Sequence, residues 1–99
     1  MPEVTIVYWR DIPAQVIVGK GRAAAKVKLH ERFEQTIYRV AMKVGAKDAD
    51  AYLAEWRKVV AYSVEGDQTE IAAAEALKLE ETFDADRLKS LIQSDGWSA

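Results

Sequence analysis

Residues 3–18 read EVTIVYWRDIPAQVIV, and the fold class turns on how this stretch is parsed. Val4, Ile6 and Tyr8 alternate with Thr5, Val7 and Trp9, so Glu3–Trp9 reads as a strand with bulk on both faces, covered on both sides or central in a sheet. Asp11 brings turn chemistry, and Pro13 pushes Ile12 toward an extended conformation. Gln15–Val18 is a second short β-branched strand. The five-residue link Arg10–Ala14 suits a hairpin, which predicts antiparallel pairing.

Outward from the hairpin, Gly19-Lys20-Gly21 breaks the strand. A long helix is expected from within Arg22–Lys28 to about Val44, its apolar face made of Leu29, Phe33, Ile37, Val40, Ala41 and Val44. Gly45 fits its C-terminal stop. Asp48 reads as the N-cap of a shorter helix to about Arg57, burying Tyr52, Leu53 and Trp56. Val59–Val64 is a third strand. Asp67 and Glu70 have capping-box spacing and open a helix to about Phe83, with Ala72, Ala76, Leu79 and Phe83 on a narrow face suited to close packing. Asp84 caps a last helix carrying Leu88, Leu91 and Ile92, which ends near Gly96. The predicted order is ββααβαα, an α+β domain with a small antiparallel sheet of about three strands and helices packed on it. No repeat or linker interrupts residues 1–99, which read as one domain.

Composition narrows the chemistry. The 99 residues are 49% apolar and 30% charged, the balance of a globular domain. No cysteine is present, which excludes disulfides, a thiol nucleophile and cysteine-ligated metal, and points toward a cytoplasmic setting. The N-terminus lacks the basic start and apolar stretch of a signal peptide, and no apolar run is long enough to span a bilayer. The net charge of −2 hides a division. Residues 1–47 hold nine Lys and Arg against four Asp and Glu, a net of +5; residues 48–99 hold five against twelve, a net of −7. Such asymmetry either lets the two halves complement each other within the fold or marks a face for polyanions.

His30 is the only histidine, so neither a zinc site nor a Ser-His-Asp arrangement can be assembled in a recognised pattern. A hydrogen-bonded, partly buried structural role is expected for it. The carboxylate pairs Asp48/Asp50 and Asp84/Asp86 sit at helix starts, where the macrodipole accounts for them. No catalytic residue, metal or cofactor is assigned. The turn Gly19-Lys20-Gly21-Arg22 is a candidate anion site if it opens onto the long helix, because glycines admit a close ligand and helix N-terminal amides attract anions. Lys28, Arg32, Gln35, Arg39 and Lys43 fall within roughly 80° of one another on that helix, a cationic stripe open to solvent, an acidic protein or phosphate. Tyr8, Trp9, Arg10, Asp11 and Gln15 form the third candidate surface, since Trp and Arg are favoured at interaction hot spots. The alternative for that segment is local structure, with Arg10 and Asp11 closing the turn.

TIVYWRDIPAQVIV, followed by LHERFEQTIYRVAMKVGAKDADAYLAEW, resembles the small bacterial family called the virulence factor domain. The likeness is densest in residues 5–18 and 28–57. It implies a bacterial, cytoplasmic protein with a regulatory or accessory role, and it brings no catalytic residue or cofactor. The expected function is therefore a non-enzymatic protein-interaction module. Anion or nucleic-acid binding through Lys20, Arg22, Lys28, Arg32 and Arg39 is the alternative, and a homodimer is possible because so small a sheet has edges to protect.

Overall fold

In the computed structural model, residues 2–45 and 49–97 are described. The hairpin forms, but it is tighter and longer than predicted. Strand β1 spans Glu3–Trp9 and β2 spans Ile12–Val18, with only Arg10 and Asp11 between them. The register explains how Pro13 is accommodated inside a strand. Val7 pairs with Gln15 and Tyr8 with Pro13, so Ala14 is an extra residue in β2. Such a bulge tolerates a residue that cannot donate to the ladder.

The sheet has four strands, not three. After a single 3₁₀ turn at Gly21–Ala23 the chain forms strand β3, Ala25–Lys28, where the long helix was expected to begin. AAAKVK has helical propensity, but it also alternates. Ala25 and Val27 are half-buried while Lys26 and Lys28 point to solvent, and pairing with β2 overrides the local preference. Helix α1 accordingly runs only from Glu31 to Lys43. Its predicted apolar residues hold: Leu29, Phe33, Ile37, Val40 and Ala41 are buried, with Val44 half-buried.

Helix α2 is Ala49–Ala54, shorter than expected; its expected cap, Asp48, lies outside the described residues. Trp56 and Arg57 belong instead to strand β4, Trp56–Ser63, which pairs antiparallel with β1. Tyr52 and Trp56 pack against the core as predicted, but Leu53 is 62% exposed. Helix α3, Gln68–Thr82, starts where Asp67 accepts a hydrogen bond from the Glu70 amide at 2.9 Å. Helix α4, Ala85–Gln93, starts the same way, with Asp84 accepting from the Arg87 amide. Both caps are as read from sequence.

Strand order is β3-β2-β1-β4, all antiparallel. Val4, Ile6, Val16 and Val18 are buried on one side of it. Helix α3 lies along β2 and β3 and presents Ala72, Ala76 and Leu79; the two small alanines let the helix approach closely. Helix α1 packs on β2 and on α4. Among the described residues no helix is long and apolar enough to cross a membrane.

Candidate functional site

The Trp-Arg-Asp turn is the hub of the tertiary structure. Trp9 is fully buried, and its indole N–H donates to the Tyr52 carbonyl at 2.9 Å. Tyr52 stands between the rings of Trp9 and Trp56, each centroid 5.9 Å away. Arg10 takes a left-handed backbone, φ 54°, which L-residues adopt only when their surroundings hold them there. Its guanidinium lies 5.2 Å from the rings of both Trp9 and Trp97. Nη1 donates to the Asp95 carbonyl at 2.6 Å, and Nε, buried without a hydrogen bond, faces the Glu55 carboxylate at 3.4 Å.

The same turn receives the chain's end and its edge strand. The Asp11 amide donates to the Gly96 carbonyl, and the Arg10 amide to the Glu55 carbonyl. Gly96 is buried at φ 87°, and a Cβ there would meet the Arg10 Cδ at 3.0 Å and Val40 at 3.3 Å. From β4, Arg57 donates to the Arg10 carbonyl and to Asp11 Oδ1, and stacks 4.8 Å from the Tyr8 ring. Burial raises the Tyr8 phenol above its ordinary value of 10.0; Arg57 opposes the shift, while Glu75 and Asp11 add to it. Trp9, Arg10 and Asp11 are thus held within the fold, and Gln15 is half-buried between Val7 and Lys28.

The predicted cationic helix stripe is divided in a similar way. Lys28 lies in β3, not on α1, and reaches Glu34 at 3.5 Å. Arg32 lies across the Phe33 ring and donates to the Glu80 carbonyl in the last turns of α3. Lys43 donates to the Ile92 and Gln93 carbonyls at the end of α4 and pairs with Asp95 at 2.9 Å. A cation on the unsatisfied carbonyls of a helix C-terminus is favoured by the macrodipole, so these two side chains tie helices together. Among the described residues, Arg39 alone of the stripe's cations is exposed with no such contact. His30 is hydrogen-bonded, as expected, but exposed: its Nδ1 accepts from the Arg32 amide and caps α1.

The Gly19–Arg22 turn differs from all of these. It does not open onto α1, so no long-helix dipole acts there. Gly19 and Gly21 both have positive φ, 101° and 64°, which the turn into β3 requires. Lys20 and Arg22 border a shallow trough of about 480 Å³ on the side of the sheet opposite Val4, Ile6, Val16 and Val18. Thr5 and Ile17 lie on its floor, and Lys26 of β3 and Lys58 of β4 close its sides. Strands spaced about 4.8 Å apart place β3 and β4, which carry those two lysines, roughly 14 Å from each other. Glu3 is the one carboxylate at the trough's lining, and among the described residues Lys20, Arg22, Lys26 and Lys58 have no ion pair or side-chain hydrogen bond.

Sequence reading found Lys20 and Arg22 but not Lys26 and Lys58, which join them only through strand pairing. It also passed over Glu75. That residue is buried on α3 beside Ala72, Ala76 and Leu79, and it accepts a hydrogen bond from the Tyr62 hydroxyl at 2.8 Å. This bond, aided by burial and by the Glu75 charge, raises the Tyr62 phenol above 10.0. The i+3 and i+4 spacing to the helix's apolar residues was the available signal. Among the described residues no group of three or more His, Cys, Asp or Glu is placed to hold a metal.

No curated protein and no solved structure matches the chain. The family model described as Virulence factor matches residues 7–92, which take in the Trp-Arg-Asp hub, all four cations of the trough's border and, beyond it, all of α1 and α3; the chain belongs to the virulence factor family.

Proposed function

We propose that this domain is a non-enzymatic accessory module that docks an acidic, extended segment of a partner protein on the bare cationic face of its sheet. The carrying observation is the set of four cations without a partner among the described residues, Lys20, Arg22, Lys26 and Lys58, around a floor containing Thr5 and Ile17. Cations left without partners in a fold that pairs so many others favour an external anion. The floor, with the aliphatic Ile17 beside Thr5, suits a peptide that alternates acidic and aliphatic residues. Each exposed ion pair contributes under ~1 kcal/mol, so binding needs several together, and complementary charge chiefly speeds and orients the encounter. The trough's described lining has no aromatic ring, and stacking is what single-stranded nucleic acid needs in order to bind a sheet face. The cysteine-free composition accords with a cytoplasmic role for the module.

Fluorescence anisotropy with a labelled Glu/Val-alternating peptide, beside a labelled single-stranded oligonucleotide at the same ionic strength, tests this reading. The peptide is expected to bind, to weaken with added salt, and to be lost in the Lys20→Glu/Lys26→Glu/Lys58→Glu variant. Tight oligonucleotide binding with no response to the peptide sinks the proposal in favour of nucleic acid. Peptide binding unchanged in the triple variant removes the trough as its site.

A further inference from the structure

The two edges of the sheet are built differently. The outer strand on one side, β3, has four residues, of which Lys26 and Lys28 are exposed. Short length and lysines are common protection against edge-to-edge pairing. On the other side β4 has eight residues and pairs within the sheet only with β1. It displays Val59, Val60 and Tyr62 at 36%, 54% and 42% exposure. The helices lean toward β2 and β3 and leave this edge largely uncovered. We propose that β4 pairs antiparallel with β4 of a second copy of this chain, joining two four-stranded sheets into one of eight strands.

Symmetry and charge select that occupant. Two antiparallel copies of one strand are related by a twofold axis normal to the sheet, so each face of one copy continues into the same face of the other. Arg57, Val59 and Tyr62 lie opposite Tyr8, Ile6 and Val4, on the helix side; Lys58 and Val60 lie opposite Val7 and Thr5, on the bare side. The extra residue Ala61, a bulge against β1, keeps Tyr62 on the helix side. With the axis at Val59, the two Val59 side chains meet. Lys58 then faces Val60 of the second copy, Arg57 faces Ala61 of the second copy, and Trp56 faces Tyr62 of the second copy. No like charges stand opposite each other, and each exposed apolar side chain gains an apolar, aliphatic-stem or ring contact. The arrangement also sets both cationic troughs on one face, with a Lys58 on each side of the axis.

Sedimentation equilibrium from low micromolar to near-millimolar concentration is the test. The wild-type mass is expected to rise from that of the 11.1 kDa chain to twice that value. Val60→Lys sets a lysine against Lys58 and is expected to stay monomeric with an unchanged far-ultraviolet circular dichroism spectrum. Adding Lys58→Glu converts the clash to an opposite-charge pair and is expected to restore the dimer. A wild type that is monomeric throughout, a Val60→Lys variant that dimerises as well as wild type, or a double variant that stays monomeric overturns the proposal. Should Val60→Lys fail to fold, amide exchange of wild type decides. Protection of residues 57–62 that grows with protein concentration supports pairing, and concentration-independent exchange overturns it. Acidic-peptide binding by monomeric Val60→Lys is read separately, so the failure of either proposal leaves the other standing.

Discussion

The two ends of the β1–β2 hairpin carry similar residues and treat them in opposite ways. At the Trp9–Ile12 end, the cations Arg10 and Arg57 are engaged within the chain: carbonyls of Arg10 and Asp95, carboxylates of Asp11 and Glu55, and the rings of Tyr8, Trp9 and Trp97 are their partners, although the Arg57 side chain stays half exposed. At the Gly19 end, Lys20, Arg22, Lys26 and Lys58 border open space and have no partner among the described residues. A tryptophan beside an arginine reads as a binding hot spot by composition, yet here it holds β1, α2, β4 and the C-terminal turn together. Residue type says what a side chain can bind. The burial of its neighbours decides whether that capacity is already used within the chain.

If the tip is structural and the far end is free, substitutions should separate along that line. The largest expected effect is Trp9→Ala, which empties a fully buried site and leaves the Tyr52 carbonyl without its donor. A loss of about 3–5 kcal/mol is expected in urea unfolding, enough to unfold many domains of this size. A loss below about 1 kcal/mol would break the comparison at its root. Gly96→Ala comes next, at about 1–3 kcal/mol, because the left-handed backbone and the Arg10 and Val40 side chains both resist a Cβ. If thermal unfolding of Gly96→Ala matches wild type, the docked C-terminal turn is not part of the hub.

Tyr62→Phe sharpens the comparison from the middle of the molecule. Removing the hydroxyl leaves buried Glu75 without its donor and is expected to destabilise by about 1–2 kcal/mol at neutral pH. The folded state holds the Tyr62 phenol above 10.0, so the folded state retains a proton that the unfolded chain releases first. That contribution is fully present below pH 10 and is lost as pH rises through the raised value. Melting temperature should fall on the alkaline side in wild type and fall less steeply in Tyr62→Phe, the remaining slope reflecting the Tyr8 phenol, which is also raised. Parallel slopes in the two proteins would remove Tyr62 as the source. The smallest stability effect is expected for Lys20→Glu/Lys26→Glu/Lys58→Glu, within about 0.5 kcal/mol, because these side chains hold nothing within the described fold. A melting point well below wild type would show the far end to be structural too.

Periodicity and cap chemistry made the helices legible. Phe33, Ile37, Val40 and Ala41 recur at helical spacing, and Asp67 and Asp84 stop and start the chain by bonding amides three residues on. These are local interactions between residues close in sequence. The misread strands failed for the complementary reason. Nothing local in AAAKVK outweighs helix, and only the free edge of β2 makes it β3; likewise Trp56 and Arg57 continue a helical pattern until β1 offers them a ladder. The candidate site shares this origin, since Lys26 and Lys58 are 32 positions apart and reach one trough because β2 and β1 lie between their strands.

The sequence by itself determined the α+β class, the hairpin, the helix caps, the apolar helix faces and the lack of cysteine chemistry, because composition and short-range spacing act before any tertiary contact exists. Only the tertiary structure decided the fourth strand, the engagement of Arg10, Arg32 and Lys43, and the freedom of Lys20, Arg22, Lys26 and Lys58. Partners for those charges come from residues distant in the chain, and a partner's distance through space is not written in the spacing of a sequence.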